Sequence, residues 1–306
     1  MKLIKPSFLI KEQEPGLEGI YKQIEWAGRH WYKSLDKITE NSAKEFVDRM
    51  IKSGHGAMLE HGTVYLKVPN SVVDEGFQFG TNWSTLCLNP YTRYNSDGEY
   101  YYYTTNYRVI IEHDLQGVLK YLCEPKKKKK KRITVKFICD RGVSHEFVRH
   151  RVFSFAQEST RYCNYSKDKF SNEITYILPC WIEEKDLPKG SCYSKDDWGS
   201  LICEFYYEAT EKGKRDGINI SPVKNFIFAL QTNEQLYFSL LKEGWKPQQA
   251  RAVLPNALKT ELVMTGFISD WSHFFKLRCD SAAHPQAREL AIPLKEEFIK
   301  KGYITE

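Results

Sequence analysis

An α+β fold follows from how strand and helix patterns mix along the chain. Some stretches alternate apolar and polar residues, as half-buried strands do. Others repeat apolar residues at helical spacing. The two kinds follow one another without the regular strand–helix rhythm of a parallel α/β sheet. No internal repeat and no linker-like stretch divides residues 1–306. The sequence therefore predicts a single domain with a mixed or antiparallel central sheet flanked by helices, and 306 residues suffice to bury a sizeable core.

The first predicted helix covers Leu17 to Lys33, where Ile20, Ile24, Ala27 and Trp31 recur at i, i+4, i+7 and i+11. A second opens on Ser42-Ala-Lys-Glu45, which has the form of a capping box. Phe46, Val47, Met50 and Ile51 give it an apolar face, and Gly54 stops it. "GHGAMLEHG" reads as a loop with two histidines, and Thr63 to Val68 as a strand. "GEYYYYTTNYRVII" has high β-propensity throughout. A short helix is expected near Leu115 to Cys123. In "ITVKFIC" the alternation of Ile133, Val135 and Phe137 predicts a half-buried strand. "RGVSHEFVRHR" reads as a turn feeding a helix, and "EITYILP" as a further strand. Helices are expected over Asp196 to Lys214 and Asn233 to Lys242. From Gly266 to Lys300 the chain reads as mostly helical, broken at Pro285 and Pro293.

Composition narrows the function classes. Apolar residues make up 42% and charged residues 27%, ordinary values for a globular protein in water. The net charge is +6, and Lys126 to Lys131 form a single run. Without that run the balance is near neutral, which weighs against a nucleic-acid partner. The run reads as a solvated loop between two elements, with electrostatic steering of anions as its functional reading. Eight scattered cysteines contain no CxxC pair. They suggest reduced thiols rather than a zinc knuckle or a disulfide framework. The first residues, interrupted by Lys5, Pro6 and Lys11, lack the apolar core of a signal peptide or membrane span, so the expectation is a cytoplasmic protein.

The most concentrated chemistry lies in "RHRVFSFAQESTRY", Arg149 to Tyr162. Arg149, His150, Arg151 and Arg161 stand among the hydroxyls of Ser154, Ser159 and Thr160, with Glu158 the one acid. Hydroxyl and guanidinium two residues apart form a common phosphate clamp. On a continuous helix Glu146 and His150 would share a face, as would His145 and Arg149. Arg149 and Arg151 would diverge by about 200°. Either the helix ends here or the two arginines serve different groups. The pairs His55–His61 and His145–His150 lack HExxH spacing, so no metal site is expected.

RHR, seven residues, Ser, one residue, Arg is also the signature of the flavin-dependent thymidylate synthases, and this chain resembles that family. Five fixed positions at that spacing arise by chance in far fewer than about one in a thousand chains of this length. Three further segments resemble the family in the same order. "SGHGAMLEHGTVYL" (Ser53 to Leu66) resembles its GHxSxxEH segment, and "ARAVLPNALKTEL" (Ala250 to Leu262) its ARxVLP segment. "FFKLRCDSAAHPQAREL" (Phe274 to Leu290) resembles its C-terminal LR…AQxEI segment.

The resemblance implies methylation of dUMP at C5 to dTMP. Methylenetetrahydrofolate would be the carbon donor, FAD the redox carrier and NADPH the reductant. It also implies a homotetramer with shared sites. It assigns Arg149, His150, Arg151, Gln157, His55, Ala57, His273 and His284 to the flavin. Glu146, Arg149, Gln157, Glu158, Ser159, Thr160, Arg161 and Arg251 fall to dUMP. Arg278 matches the arginine that polarises the uracil ring, a role that suits a side chain which stays protonated. No cysteine nucleophile is needed, and Cys163 and Cys279 read as small apolar filler. The chain departs from the family at Ala57, where a hydroxyl residue is frequent, and at Gln157, where Glu is frequent. In "GFISDWSHFF" Ser269 and His273 stand in a stretch that usually carries Asn and Arg.

Overall fold

The computed structural model describes residues 1–78, 82–125, 131–161, 163–167, 172–183, 185, 187 and 221–305, and elements are numbered among these. After β1 (Lys2–Ile4) and β2 (Ser7–Lys11), α1 (Gly16–Tyr32) buries Ile20, Ile24 and Ala27 at the expected spacing. It ends at Lys33, whose φ of 50° and ψ of 52° are left-handed. α2 (Ser42–Lys52) buries Ala43, Phe46, Val47 and Met50. A methyl group on Gly28 would come within 2.5 Å of the Phe46 ring, so glycine is what lets α1 close on α2.

The expected capping box does not form. Ser42 is already helical, and its hydroxyl donates to Glu25 at 2.9 Å while accepting the Thr39 backbone N–H. "GHGAMLEHG" contains a one-turn helix, α3 (Gly56–Leu59). β3 (Thr63–Pro69), α4 (Asn70–Gln78), α5 (Asn82–Leu88), β4 (Arg93–Ser96) and β5 (Tyr100–Asn106) follow. The β-rich tyrosine stretch stops short of its full length. The Asn106 side chain accepts the Val109 N–H at 3.1 Å and starts α6 (Tyr107–Glu112), a cap overriding propensity. The expected short helix after it is a 3₁₀ turn, Gln116–Tyr121. Lys126 to Lys130 lie outside the described residues, as does the helix expected over Asp196 to Lys214.

β6 (Arg132–Asp140) leads into α7 (Arg141–Phe147), then β7 (Ser154–Gln157) and β8 (Thr175–Ile177). α8 (Pro222–Lys242) begins eleven residues before the expected Asn233, with proline at a helix start where its missing N–H does no harm. α9 (Pro247–Ala250) and a 3₁₀ turn (Arg251–Val253) precede β9 (Lys259–Phe267), a buried strand that carries Gly266. The expected long helical segment is thus strand first, then α10 (Ile268–Arg278) and α11 (Pro285–Lys300). Pro285 starts α11 rather than breaking a helix. Pro293 sits inside it, where the burial of Leu290, Ala291, Leu294 and Phe298 outweighs one lost hydrogen bond.

Two compact units can be described in turn. The smaller comprises Met1–Pro6, Asp140–Gly142 and Thr160–Lys259. In it β1 pairs parallel with β8, over a core that includes Tyr165, Tyr176, Leu230, Tyr237 and Leu258. The larger comprises Ser7–Cys139, Val143–Ser159 and Thr260–Glu306. Its strands form a four-stranded sheet, β2-β6-β9-β7, and a three-stranded sheet, β3-β5-β4. The pairs β2–β6, β7–β9, β3–β5 and β4–β5 are all antiparallel. Helices α1 and α2 share one core with β3 and β5, while α10 and α11 share another with β6 and β9. The α+β class holds, with the strands divided among sheets rather than gathered in one. Among the described residues no helix is long and apolar enough to cross a membrane.

His61, named above as a conceivable ligand, is instead fully buried against Thr265, with Nδ1 at 2.8 Å from the hydroxyl. Burial first, then the Arg132 cation, pushes its pKa down to about 3. Between its ordinary value of 6.5 and about 3, the unfolded chain binds a proton that the folded chain refuses. Stability is therefore fully present above pH 6.5 and drains as pH falls through that window, at up to about 1.4 kcal/mol per unit. Scanning calorimetry from pH 7 to pH 4 should show a falling melting temperature, with a smaller fall in His61→Gln.

Candidate active site

The RHR run is not helical. α7 ends at Phe147, and a reversal carries the chain into β7, with the Arg149 N–H on Glu146 O and the Phe153 N–H on His150 O. The apolar side chains dictate this: Phe147 and Phe153 are both buried, so the residues between them must turn. Gly266 of β9 makes room for Phe153, since a methyl group there would lie 2.5 Å from its ring. The reversal leaves Arg149 and Arg151 exposed and His150 buried.

His150 meets Arg278, the last residue of α10. Arg278 donates from Nε to His150 Nε2 at 3.0 Å, from Nη1 to the Glu146 carboxylate at 2.6 Å and from Nη2 to the Glu146 carbonyl at 2.6 Å. Three of its five N–H groups are engaged, and one on each terminal nitrogen remains without a partner among the described residues. Arginine has only donors, so His150 Nε2 must be the acceptor and the ring proton must sit on Nδ1. The ring lies 5.0 Å from that of Phe274 and 6.2 Å from that of His273. Burial first, then Arg278 and His273, depress the His150 pKa to about 4. The centre is thus a fixed, half-buried cation beside a neutral imidazole, a device for stabilising negative charge on a ligand.

The segment after the reversal is extended, and its burial alternates. Ser154, Ala156, Glu158 and Thr160 are buried, Phe155, Gln157 and Ser159 are half-buried, and Arg161 is exposed. β7 ends at Gln157, and Thr160 and Arg161 lie in the turn that follows Ser159. Gln157 donates to Ser144 at 2.8 Å and Thr260 at 3.3 Å. The inward Glu158 lies 3.3 Å from the Lys33 ammonium. Lys33 also pairs with Glu261, whose other oxygen accepts from His30 at 2.6 Å. Sequence reading missed this Lys33–Glu261–His30 group. Its one signal is an acid, Glu261, inside the apolar run of β9.

In the smaller unit exposed Arg251 donates to the Thr160 hydroxyl at 3.0 Å, and Arg161 is exposed. His55 is exposed, hydrogen-bonds the Tyr32 hydroxyl at 2.8 Å and stacks on that ring. Ala57 is exposed in α3. His273 and His284 are exposed, the latter immediately before α11. Ser269, where the family carries other residues, receives Arg93, which also pairs with Asp270 at 2.6 Å and lies over the Phe267 ring.

Residues 130–301 match the family profile described as thymidylate synthase complementing protein. A flavin-dependent thymidylate synthase from Corynebacterium aurimucosum is 32% identical over 271 residues, 88% of this chain and 72% of that protein. One from Synechocystis is 25% identical over 168 residues, 55% of this chain and 66% of the relative. One from Pyrococcus abyssi is 29% identical over 163 residues, spanning 53% of this chain and 52% of the relative. A solved UMP/dUMP methylase from Streptomyces cacaoi, bound with 5-Br dUMP, is 16% identical over 98% of this chain and 93% of that one. Its TM-score of 0.39 is too low to bear on the fold.

The centre makes one prediction independent of any ligand. By NMR, the His150 ring should stay neutral as the Nδ1–H tautomer until the pH nears 4. Arg278→Ala should raise that midpoint, but not to 6.5, because burial is the larger cause.

Proposed function

The chain belongs to the thymidylate synthase complementing protein family, and we propose that it is a flavin-dependent thymidylate synthase that methylates dUMP at C5 to give dTMP. The observation that carries this reading is the clamped guanidinium of Arg278, with two N–H groups left to donate among the described residues. A pyrimidine whose C5 is to attack an electrophile must place negative charge on its carbonyl and N3. A permanently protonated, rigidly held fork stabilises that charge without reorganising. Glu146 and His150 hold the fork, and a neutral His150 does not compete with it for the developing anion. We assign the dUMP phosphate and sugar to Gln157, Ser159, Arg161 and Arg251, with Arg149 near the nucleotide. Glu158 and Thr160 brace that segment from its buried side.

The flavin is proposed to be FAD. The exposed forks of Arg149 and Arg151 suit a pyrophosphate, and the aromatic surface of His55, Tyr32 and Trp31 suits a planar ring. Ala57, His273 and His284 belong to the same proposed site. FAD, when bound, would supply the hydride, with NADPH as reductant and methylenetetrahydrofolate as carbon donor. The protein's own part is to orient the ring, to hold the charge at Arg278 and to keep the reaction dry behind Phe153 and Phe274. The same reading carries a cytoplasmic homotetramer and treats residues 1–306 as one functional domain.

Tritium release from dUMP labelled at C5, with FAD, NADPH and methylenetetrahydrofolate present, tests the reading. Release should accompany dTMP formation, and Arg278→Ala should lower the rate about 10²- to 10³-fold while the protein stays yellow. A protein that holds FAD and dUMP yet releases no tritium would overturn it.

A further inference from the structure

Lys33 occupies a position that does not suit a lysine. It caps α1 in the left-handed region, with φ 50°, where a glycine sits without steric strain and an ordinary side chain is disfavoured. What the side chain gains there is visible. The side chain is 16% exposed, and its ammonium is 3.3 Å from the Glu158 carboxylate and also pairs with Glu261. Glu261 in turn accepts a hydrogen bond from Nδ1 of His30, one turn back on α1. Burial first, opposed by Glu261, lowers the His30 pKa, and Lys136 and Lys33 lower it further. A neutral His30 leaves Lys33 as the charge that meets both acids at contact distance. The backbone repeats the attachment: Ser159 donates to Trp31 O at 3.4 Å, and Glu158 donates to Glu261 O at 2.8 Å.

The end of α1 and one residue of β9 therefore grip the residues immediately after β7 from the buried side. Because the segment is extended, fixing Glu158 inward fixes Gln157 and Ser159 outward. We infer that Lys33 is a positioning residue for nucleotide binding, holding the Gln157–Ser159 backbone in the register that presents these two side chains to dUMP. The inference rests on the dUMP assignment above. Lys33 itself need not touch the ligand. It acts through Glu158, a charge-assisted bond in a nearly dry setting, where such contacts are strongest.

The test uses the flavin-loaded full chain and three substitutions, Lys33→Arg, Lys33→Met and Lys33→Gly. Gly relieves the left-handed backbone and Met does not, so their melting temperatures should differ. dUMP affinity by calorimetry should fall by about tenfold in both, and KM for dUMP should rise alike with kcat within about twofold. Lys33→Arg should bind dUMP within about threefold of the unaltered protein, since it restores the charge. Backbone hydrogen exchange at Ser159, measured without dUMP, should quicken in Met and Gly but not in Arg. If dUMP affinity instead tracks melting temperature across the three, or stays unchanged in all, the positioning role is overturned. If the unaltered protein binds no dUMP at all, the functional reading falls first and takes this one with it.

Discussion

Arg278 reaches its place because α10 can bury itself in only one way. Ile268, Trp271, Phe274 and Phe275 are all buried against the core shared with β6 and β9, and the indole N–H of Trp271 donates to Ile133 O at 3.1 Å. Burying four side chains of this kind is worth several kcal/mol, about 1.5–3 each. At its start the helix is fixed by Asp270, which accepts the Phe267 N–H at 3.1 Å and pairs with Arg93. With rotation and entry both fixed, the last residue of α10 has to emerge beside the reversal between α7 and β7. The guanidinium then meets Glu146 and His150 as a matter of packing. Charge alone would not have selected the contact, since a cation at a helix end has solvent as an equally good partner.

The same packing decides the protonation of the histidines around it. His150, His61 and His30 each lie in surroundings too dry to favour an imidazolium, and each has a cation near enough to disfavour it further. Arg132, likewise buried, is drawn down to about 10 but remains charged at neutral pH. It is accommodated by the Glu60 carbonyl, the Ser154 hydroxyl and the ring of Phe267. In this unit burial discharges the histidines and leaves the arginines as permanent cations. That division is what an anion-stabilising site needs, because the groups that keep their charge are those with no proton to lose near neutral pH.

Much of the larger unit was legible in the sequence. The 3.6-residue spacing of Ile20, Ile24 and Ala27 gave α1, and the alternation of Ile133, Val135 and Phe137 gave β6. Both were readable because periodicity is the direct imprint of having one buried face. β9 was missed for the opposite reason. A strand buried on both faces has no apolar–polar alternation, and Lys259, Thr260, Glu261 and Thr265 interrupt what apolar run it has. Of the two alternatives left open at RHR, the helix ends: α7 stops at Phe147, and the burial of Phe147 and Phe153 turns the chain between them. Pro293 stays helical because its neighbours at the right spacing are core residues.

The chain's residues by themselves determined the class of the fold and the family, and they set out the candidate site as a list of side chains. Only the tertiary structure decided that the chain reverses at RHR, which tautomer His150 adopts, and that Glu146 holds Arg278. Only there does a lysine at the end of the first helix join acids more than a hundred residues away. Local spacing carries no record of such a meeting. In the sequence Glu158 falls to the nucleotide by resemblance and nothing joins Lys33 to Glu261; burial brings the three together by removing the water that would otherwise separate them.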